Sequence, residues 1–166
     1  MITLLLALVL GAPGLPEARD VGPLADLRLV DQYGREDSLE AYRGQVVLVM
    51  VVHAKRLRKL RSWEAALRGC VKEVHYLRIA DVPADPPVTR EEVAKKLRER
   101  VPKEVSILAD LDRRWAKTLG LDTGQPNLLV FDRGGRLVGA YRGDGSPALE
   151  ARVCRDLQTL TEAGGR

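Results

Sequence analysis

Aromatic residues, cysteines and long apolar runs are scarce in this sequence of 166 residues. Aromatic side chains make up 4% of the chain, are scattered along it and include a single Phe. Domains that bind nucleic acid usually gather basic residues into one stripe with aromatic residues between them. The mild net charge of +4 without such a stripe is typical of an ordinary basic surface, so we expect no nucleic-acid partner.

The two cysteines, Cys70 and Cys154, are far apart, and neither belongs to a C-x-x-C pair. Neither lies beside a second type of ligand at a spacing that suits a metal, so we expect no metal site and no cofactor. An even number of cysteines in an exported chain is compatible with a disulfide between them. The alternative is two separate buried thiols that pack as small hydrophobic side chains.

The start of the chain is mostly apolar over residues 2–12, about eleven residues, whereas a membrane-spanning helix needs about twenty. This length predicts a cleaved export signal over residues 1–18, with Gly14 and Ala18 as small residues near the cleavage point. Because no Lys or Arg precedes the apolar run, a misassigned start is the alternative. We expect a periplasmic or secreted protein in which residues 19–166 form one domain, with no membrane contact after cleavage.

Apolar periodicity predicts an alternation of strands and helices. Residues 46–52 are an unbroken apolar run, which is typical of a central strand covered on both faces. Apolar residues then recur every three or four positions over 55–70, which predicts a helix. Further strands are predicted over 27–31, 73–80, 105–109, 127–131 and 136–141, and further helices from the Thr89 cap to Pro102, over 112–119 and over 146–160. This order predicts a mixed α/β sheet with central parallel strands, a C-terminal antiparallel hairpin and helices on both faces.

Three segments carry a resemblance to a known family. Residues 29–49 begin with LVDQYG and join a strand and a Ser-Leu turn to the central strand, while residues 107–121 begin with the strand ILAD. Residues 124–138 contain GQPNLLVFD, a turn and another strand. In this order the segments resemble the redoxin branch of the thioredoxin superfamily, which includes TlpA-like thiol oxidoreductases and the AhpC/TSA-like peroxiredoxins. The resemblance implies a thioredoxin-like fold.

The sequence departs from that family at its reactive motif. There, the helix after the central strand begins with C-x-x-C, where the helix N-terminus stabilises a thiolate. Here Arg56 and Lys59 occupy the two thiol positions, a loss that resembles the small exported proteins of the YtfJ type. We therefore predict a non-catalytic binding module for a protein or an anionic ligand. The alternative is a thiol-disulfide oxidoreductase or peroxidase-like redoxin that uses Cys70 and Cys154.

The predicted binding surface combines the basic helix start with the segment before a later strand. Its residues are Lys55, Arg56, Arg58, Lys59, Gln125 and Pro126. Helix N-termini attract anions, so the cations form either a site for an acidic ligand or protein partner, or a solvated face. The resemblance implies a cis peptide bond before Pro126, with backbone groups of Gln125 offered to an extended partner segment. Alternatively, Pro126 only shapes the entrance to the strand. The sequence predicts nothing about the oligomeric state.

Overall fold

Seven strands form one mixed sheet in the computed structural model, which describes residues 18–164. The predicted export signal lies outside the described residues except for its last position. The strands are β1 (Leu29–Asp31), β2 (Glu36–Asp37), β3 (Val46–His53), β4 (Val74–Asp81), β5 (Leu108–Asp110), β6 (Asn127–Phe131) and β7 (Leu137–Arg142). The helices are α1 (Arg58–Leu67), α2 (Arg90–Arg100), α3 (Arg114–Leu119) and α4 (Pro147–Glu162). None of these helices is long and apolar enough to cross a membrane.

The strand order is β2-β1-β5-β4-β3-β6-β7. Strands β3, β4 and β5 are parallel, whereas β6 pairs antiparallel with β3 and forms an antiparallel hairpin with β7. The predicted mixed α/β sheet with a C-terminal hairpin is therefore confirmed. At the outer edge, Arg19 forms an antiparallel bridge with Leu137, a pairing that the sequence pattern did not indicate.

Strand β3 lies between two apolar layers. Alternate side chains Val47, Val49 and Val51 belong to the layer that contains Trp115 of α3. The side chains between them belong to the layer formed with α1 and α4, which contains Trp63; they are Val46, Leu48, Met50 and Val52. Because both faces are covered, residues 46–52 are at most 1% exposed, as the unbroken apolar run predicted.

Helix α2 packs on the same sheet face as α1, beyond it toward β5. Its apolar residues Val93 and Leu97 contact a cluster that includes Ala80 and Ala109. The helix begins with the predicted capping box: the Glu92 N–H donates to Thr89 Oγ1 at 3.2 Å, and the Thr89 N–H donates to Glu92 Oε2 at 2.7 Å. Local sequence therefore determines where this helix starts.

Two helices start differently from the prediction. A short 3₁₀ turn, Ala54–Arg56, precedes α1, so the predicted helix over 55–70 is shorter at both ends. Helix α3 begins at Arg114, two positions after the predicted start at 112. The carboxylate of Asp110 at the end of β5 accepts the N–H groups of Arg114 at 3.0 Å and Trp115 at 2.9 Å. A carboxylate can satisfy these helix N-terminal donors from a preceding strand, which sequence spacing alone does not reveal.

The rings of Tyr42 and His75 stack with their centroids 3.6 Å apart. The Tyr42 hydroxyl donates to Asp37 at 2.6 Å. Burial, together with this hydrogen bond and the Asp37 charge, raises the pKa of Tyr42 to about 12. Burial lowers the pKa of His75 below its usual value although the Asp37 charge opposes the shift, so the folded state favours a neutral imidazole.

This shift predicts a pH dependence of stability. Since the pKa of His75 is lower in the folded than in the unfolded chain, the unfolded chain takes up the proton first as the pH falls below about 6.5. Stability contributed by neutral His75 is therefore present above that pH and decreases below it. The variant His75→Phe keeps an aromatic ring for the stack but has no such proton. Its free energy of unfolding, measured with guanidinium chloride at about pH 7.5 and about pH 5.5, should fall less than that of the parent; an equal fall would contradict the assignment.

Candidate functional site

Cys70 and Cys154 form a disulfide that joins the end of α1 to the middle of α4. Their Cα atoms are 5.8 Å apart, the usual separation for a disulfide. Both residues are half-buried, and the two helices pack against each other on one face of the sheet. Of the two alternatives that the sequence left open, the structure has the disulfide.

The surroundings of the disulfide differ on its two sides. Cys70 lies in a turn after α1, where its N–H donates to the Leu67 carbonyl at 3.0 Å and its carbonyl accepts from Gln158 Nε2 at 3.2 Å. Cys154 lies inside α4, next to the fully buried Val153. The disulfide is thus at the carboxyl end of α1, where the helix dipole does not stabilise a thiolate as an N-terminus would.

The structure places the cations of the basic helix start in different environments. Lys55 and Arg56 lie in the 3₁₀ turn and are exposed, and the exposed Arg58 begins α1. Lys59 Nζ lies 2.7 and 2.6 Å from the two carboxylate oxygens of Asp144, in the loop after β7. Lys59 is therefore already ion-paired within the chain.

The predicted cis bond before Pro126 is wrong: the Gln125–Pro126 bond is trans, and the cis X-Pro bond among residues 18–164 is Asp85–Pro86. The trans isomer is the lower-energy one for an X-Pro bond, by about 0.5–1 kcal/mol. It is compatible here with a closed loop, because the side-chain amide of Asn127 donates to the Gln125 carbonyl at 3.0 Å.

Contacts of one loop residue connect Pro126 to α1. The Gly143 N–H donates to the Pro126 carbonyl at 3.0 Å, and the Gly143 carbonyl accepts from the indole N–H of Trp63 at 3.0 Å. Pro126 is buried, whereas Gln125 is exposed. The structure thus brings the two parts of the predicted surface near each other through the loop after β7, and the ring of Pro126 is not part of an open surface.

Sequence reasoning missed a buried polar cluster at the carboxyl ends of β4 and β5. Asp81 is fully buried, and its carboxylate accepts from Arg113 Nε at 3.0 Å, from Arg113 Nη2 at 2.9 Å and from Thr123 Oγ1 at 2.5 Å. Beside it, burial raises the pKa of Asp110, and the Asp81 charge adds to this shift. A usable signal was present, since both aspartates directly follow predicted strands and the carboxyl ends of parallel neighbours meet at one edge.

This cluster does not form a metal site. No group of three or more His, Cys, Asp or Glu residues among those the structure describes is arranged to hold a metal ion. The paired hydrogen bonds from Arg113 and Thr123 instead satisfy the Asp81 carboxylate within the fold, as a buried charge requires.

Comparisons with known proteins identify the fold. No protein-family model matches the sequence, and no curated protein sequence is significantly similar to it. Among solved structures, the exposed lipoprotein thioredoxin Etrx1 of Streptococcus pneumoniae superposes with a TM-score of 0.65 at 16% identity, over 81% of this chain and 98% of that one. The chain has a thioredoxin-like fold.

Two other similar structures come from different branches of the same fold. BsSco, a member of the Sco family of cytochrome c oxidase assembly proteins with a disulfide switch, has a TM-score of 0.65 at 15% identity, over 90% of this chain and 97% of that one. The bacterioferritin comigratory protein of Xanthomonas campestris, which has alkyl peroxide reduction activity, has a TM-score of 0.58 at 14% identity. The match covers 90% of this chain and 96% of that one.

The prediction of a non-catalytic module that lacks a redox cysteine pair is wrong. The chain has a bonded pair, Cys70 and Cys154, and its fold is shared by proteins named for disulfide and peroxide chemistry. At the start of α1, Arg56 and Lys59 stand at the positions of the expected thiols. The bonded cysteines are 84 positions apart in the sequence, and only the packing of α1 on α4 brings their sulfurs together.

The disulfide should stabilise the chain strongly. Closing a loop between residues 84 positions apart removes unfolded-state entropy that a chain-entropy treatment puts at about 4.5 kcal/mol. We expect the double variant Cys70→Ser/Cys154→Ser to lose about this much free energy of unfolding in urea. The parent treated with a strong reductant should match the double variant, and a loss below about 1 kcal/mol would contradict the expectation.

Substitution of Arg113 tests whether its ion pair with Asp81 stabilises the fold by more than its strained backbone destabilises it. Its φ of 57° lies in the left-handed region, which costs a non-glycine residue about 1 kcal/mol. Loss of its guanidinium leaves the buried Asp81 carboxylate with one side-chain donor, at a cost of about 3 kcal/mol. Arg113→Gly should therefore lose about 2 kcal/mol in urea unfolding, and Arg113→Ala about 1 kcal/mol more. A glycine variant as stable as the unmodified protein would show that the ion pair does not outweigh the strain.

Proposed function

We propose that this protein is a thiol-disulfide oxidoreductase of the redoxin type in which Cys70 and Cys154 alternate between a disulfide and two thiols. The observation that carries the proposal is the bond between these two residues, neither of which is fully buried. The fold shared with Etrx1, BsSco and the Xanthomonas peroxide-reducing protein supports the same class of chemistry.

The reaction is a two-electron exchange with a dithiol or disulfide of another protein. A thiolate of a reduced partner attacks one sulfur of the disulfide and forms a mixed disulfide, and the other sulfur of this chain leaves as a thiolate. The partner's second thiolate then displaces the bound cysteine. The partner leaves as a disulfide, and two electrons and two protons have passed to Cys70 and Cys154. Run in reverse, the reduced protein reduces a substrate disulfide.

Cys70 is the better candidate for the mixed disulfide. It lies in a turn after α1, whereas Cys154 is held inside α4 by helical hydrogen bonds on both sides. A residue in a turn can move toward a partner without breaking a helix. Cys154 then acts as the resolving thiol from a fixed position.

The proposal includes export and a YtfJ-type loss of the C-x-x-C motif. A signal over residues 1–18 would deliver the chain to the periplasm or beyond, where disulfides persist. With Arg56 and Lys59 in place of the usual motif, the reactive pair would be displaced to the other end of the same helix. There the dipole does not favour a thiolate, so the dithiol form is less stabilised and should act as the electron donor.

Two measurements test this function. The reduced parent should reduce insulin disulfides in the presence of a slow chemical reductant at least tenfold faster than Cys70→Ser/Cys154→Ser. Equilibration in thiol redox buffers, read by alkylation and mass, should give a potential at or below about −270 mV, because the thiolate is not stabilised.

The matched control is the single variant Cys154→Ser. It retains Cys70 and should form a mixed disulfide with an oxidised partner, but it lacks the second thiol that would release the partner. The variant Cys70→Ser should form far less of this mixed disulfide. If the parent and the double variant reduce insulin at the same rate, the disulfide is only structural and the proposal fails.

A further inference from the structure

A cleft lies between α1 and α2 on the sheet face that α1 covers. Its larger part has a volume of about 420 Å³ and extends along α1 to the segment before β5. Its smaller part, about 280 Å³, extends along α2 to the loop after β4. The residues common to both parts include Lys55, Leu57 and Arg100, so these lie where the two parts meet.

The floor of the cleft is apolar. Leu60, Leu97 and Ile107 line it and are 2%, 4% and 3% exposed. Leu57, Val93 and Val101 are among the other apolar residues that line it. A ligand that fills this floor therefore needs an apolar body.

The charged residues around this floor are mostly cations. The cations are Lys55, Arg58, Arg61, Arg78, Lys96 and Arg100, and the acids are Glu64 and Asp85. Arg78 and Glu64 neutralise each other in an ion pair. None of the other five cations forms an ion pair with a residue in the described part of the chain. The cleft thus has a strong excess of positive charge.

The strand arrangement argues against an extended peptide as the occupant. Peptides often bind by adding a strand to an exposed sheet edge. The strands beneath the cleft, β4 and β5, are interior, because β4 pairs with β3 and β5, and β5 pairs with β1 and β4. Their backbone groups are already used within the sheet, so the cleft offers side chains only.

We infer that this cleft binds an amphipathic organic anion, an acyl chain of medium length that ends in a single carboxylate. The chain lies on the floor formed by Leu60, Leu97 and Ile107, and the carboxylate lies between Lys55 and Arg100, where the two parts of the cleft meet. This site is separate from the proposed thiol chemistry, since neither cysteine lines the cleft.

Isothermal titration with three ten-carbon probes tests the inference. Sodium decanoate, added below its micelle concentration, should bind saturably with one site per chain. Decanol, which has the chain without the charge, and decyltrimethylammonium, which has the opposite charge, should each bind at least tenfold more weakly. Equal affinity for decanoate and decanol would overturn the role of the cations, and absence of saturable decanoate binding would overturn the site.

Variants that remove positive charge test where decanoate binds. Lys55→Gln/Arg100→Gln should weaken decanoate binding at least tenfold and leave the binding of decanol unchanged. The control Arg28→Gln/Lys117→Gln removes the same charge outside the cleft and should bind decanoate as the parent does. All four positions are exposed, and thermal unfolding of each variant checks that the fold is intact. Displacement of bound decanoate by a glutamate-rich decapeptide at equal concentration would show that the occupant is a protein segment and overturn the inference.

Discussion

Strand β3 pairs with β4 on one side and β6 on the other, and its residues 46–52 are at most 1% exposed. Its side chains alternate between two apolar layers, so no shift of register is possible without moving valines out of both layers. The basic turn, α1 and the cleft follow directly from where this strand ends. Burial of β3 is therefore the constraint on which the positions of all the sites depend.

The disulfide is one consequence of that constraint. Side chains from one face of β3 pack against both α1 and α4, which brings the turn after α1 beside the middle of α4. In the family pattern, reactive thiols lie at the amino end of this helix, where the dipole stabilises a thiolate. Here the sulfurs lie at the carboxyl end of the same helix. The thioredoxin-like fold is thus retained, while the bonded cysteine pair lies at the helix end with the opposite electrostatics.

Some charged residues of this protein are ion-paired within the fold, and others around the cleft are not. Asp81 with Arg113, and Asp144 with Lys59, are ion pairs that the fold completes internally. Apart from Arg78, the cations around the cleft are instead left without acidic partners within residues 18–164, above an apolar floor. Paired charges hold loops in place, whereas uncompensated charges beside apolar surface are what an amphipathic ligand recognises.

The sequence by itself determined the order of the helices and of every strand except β2, the buried central strand, the capping box of α2 and the hairpin after β6, because each depends on periodicity or on residues a few positions apart. It also determined that no thiol stands at the start of α1. Only the tertiary structure decided that Cys70 meets Cys154, that Lys59 pairs with Asp144, that Asp110 caps α3 and that the bond before Pro126 is trans. These features depend on the relative placement of whole elements or on small differences in free energy, which local spacing does not encode.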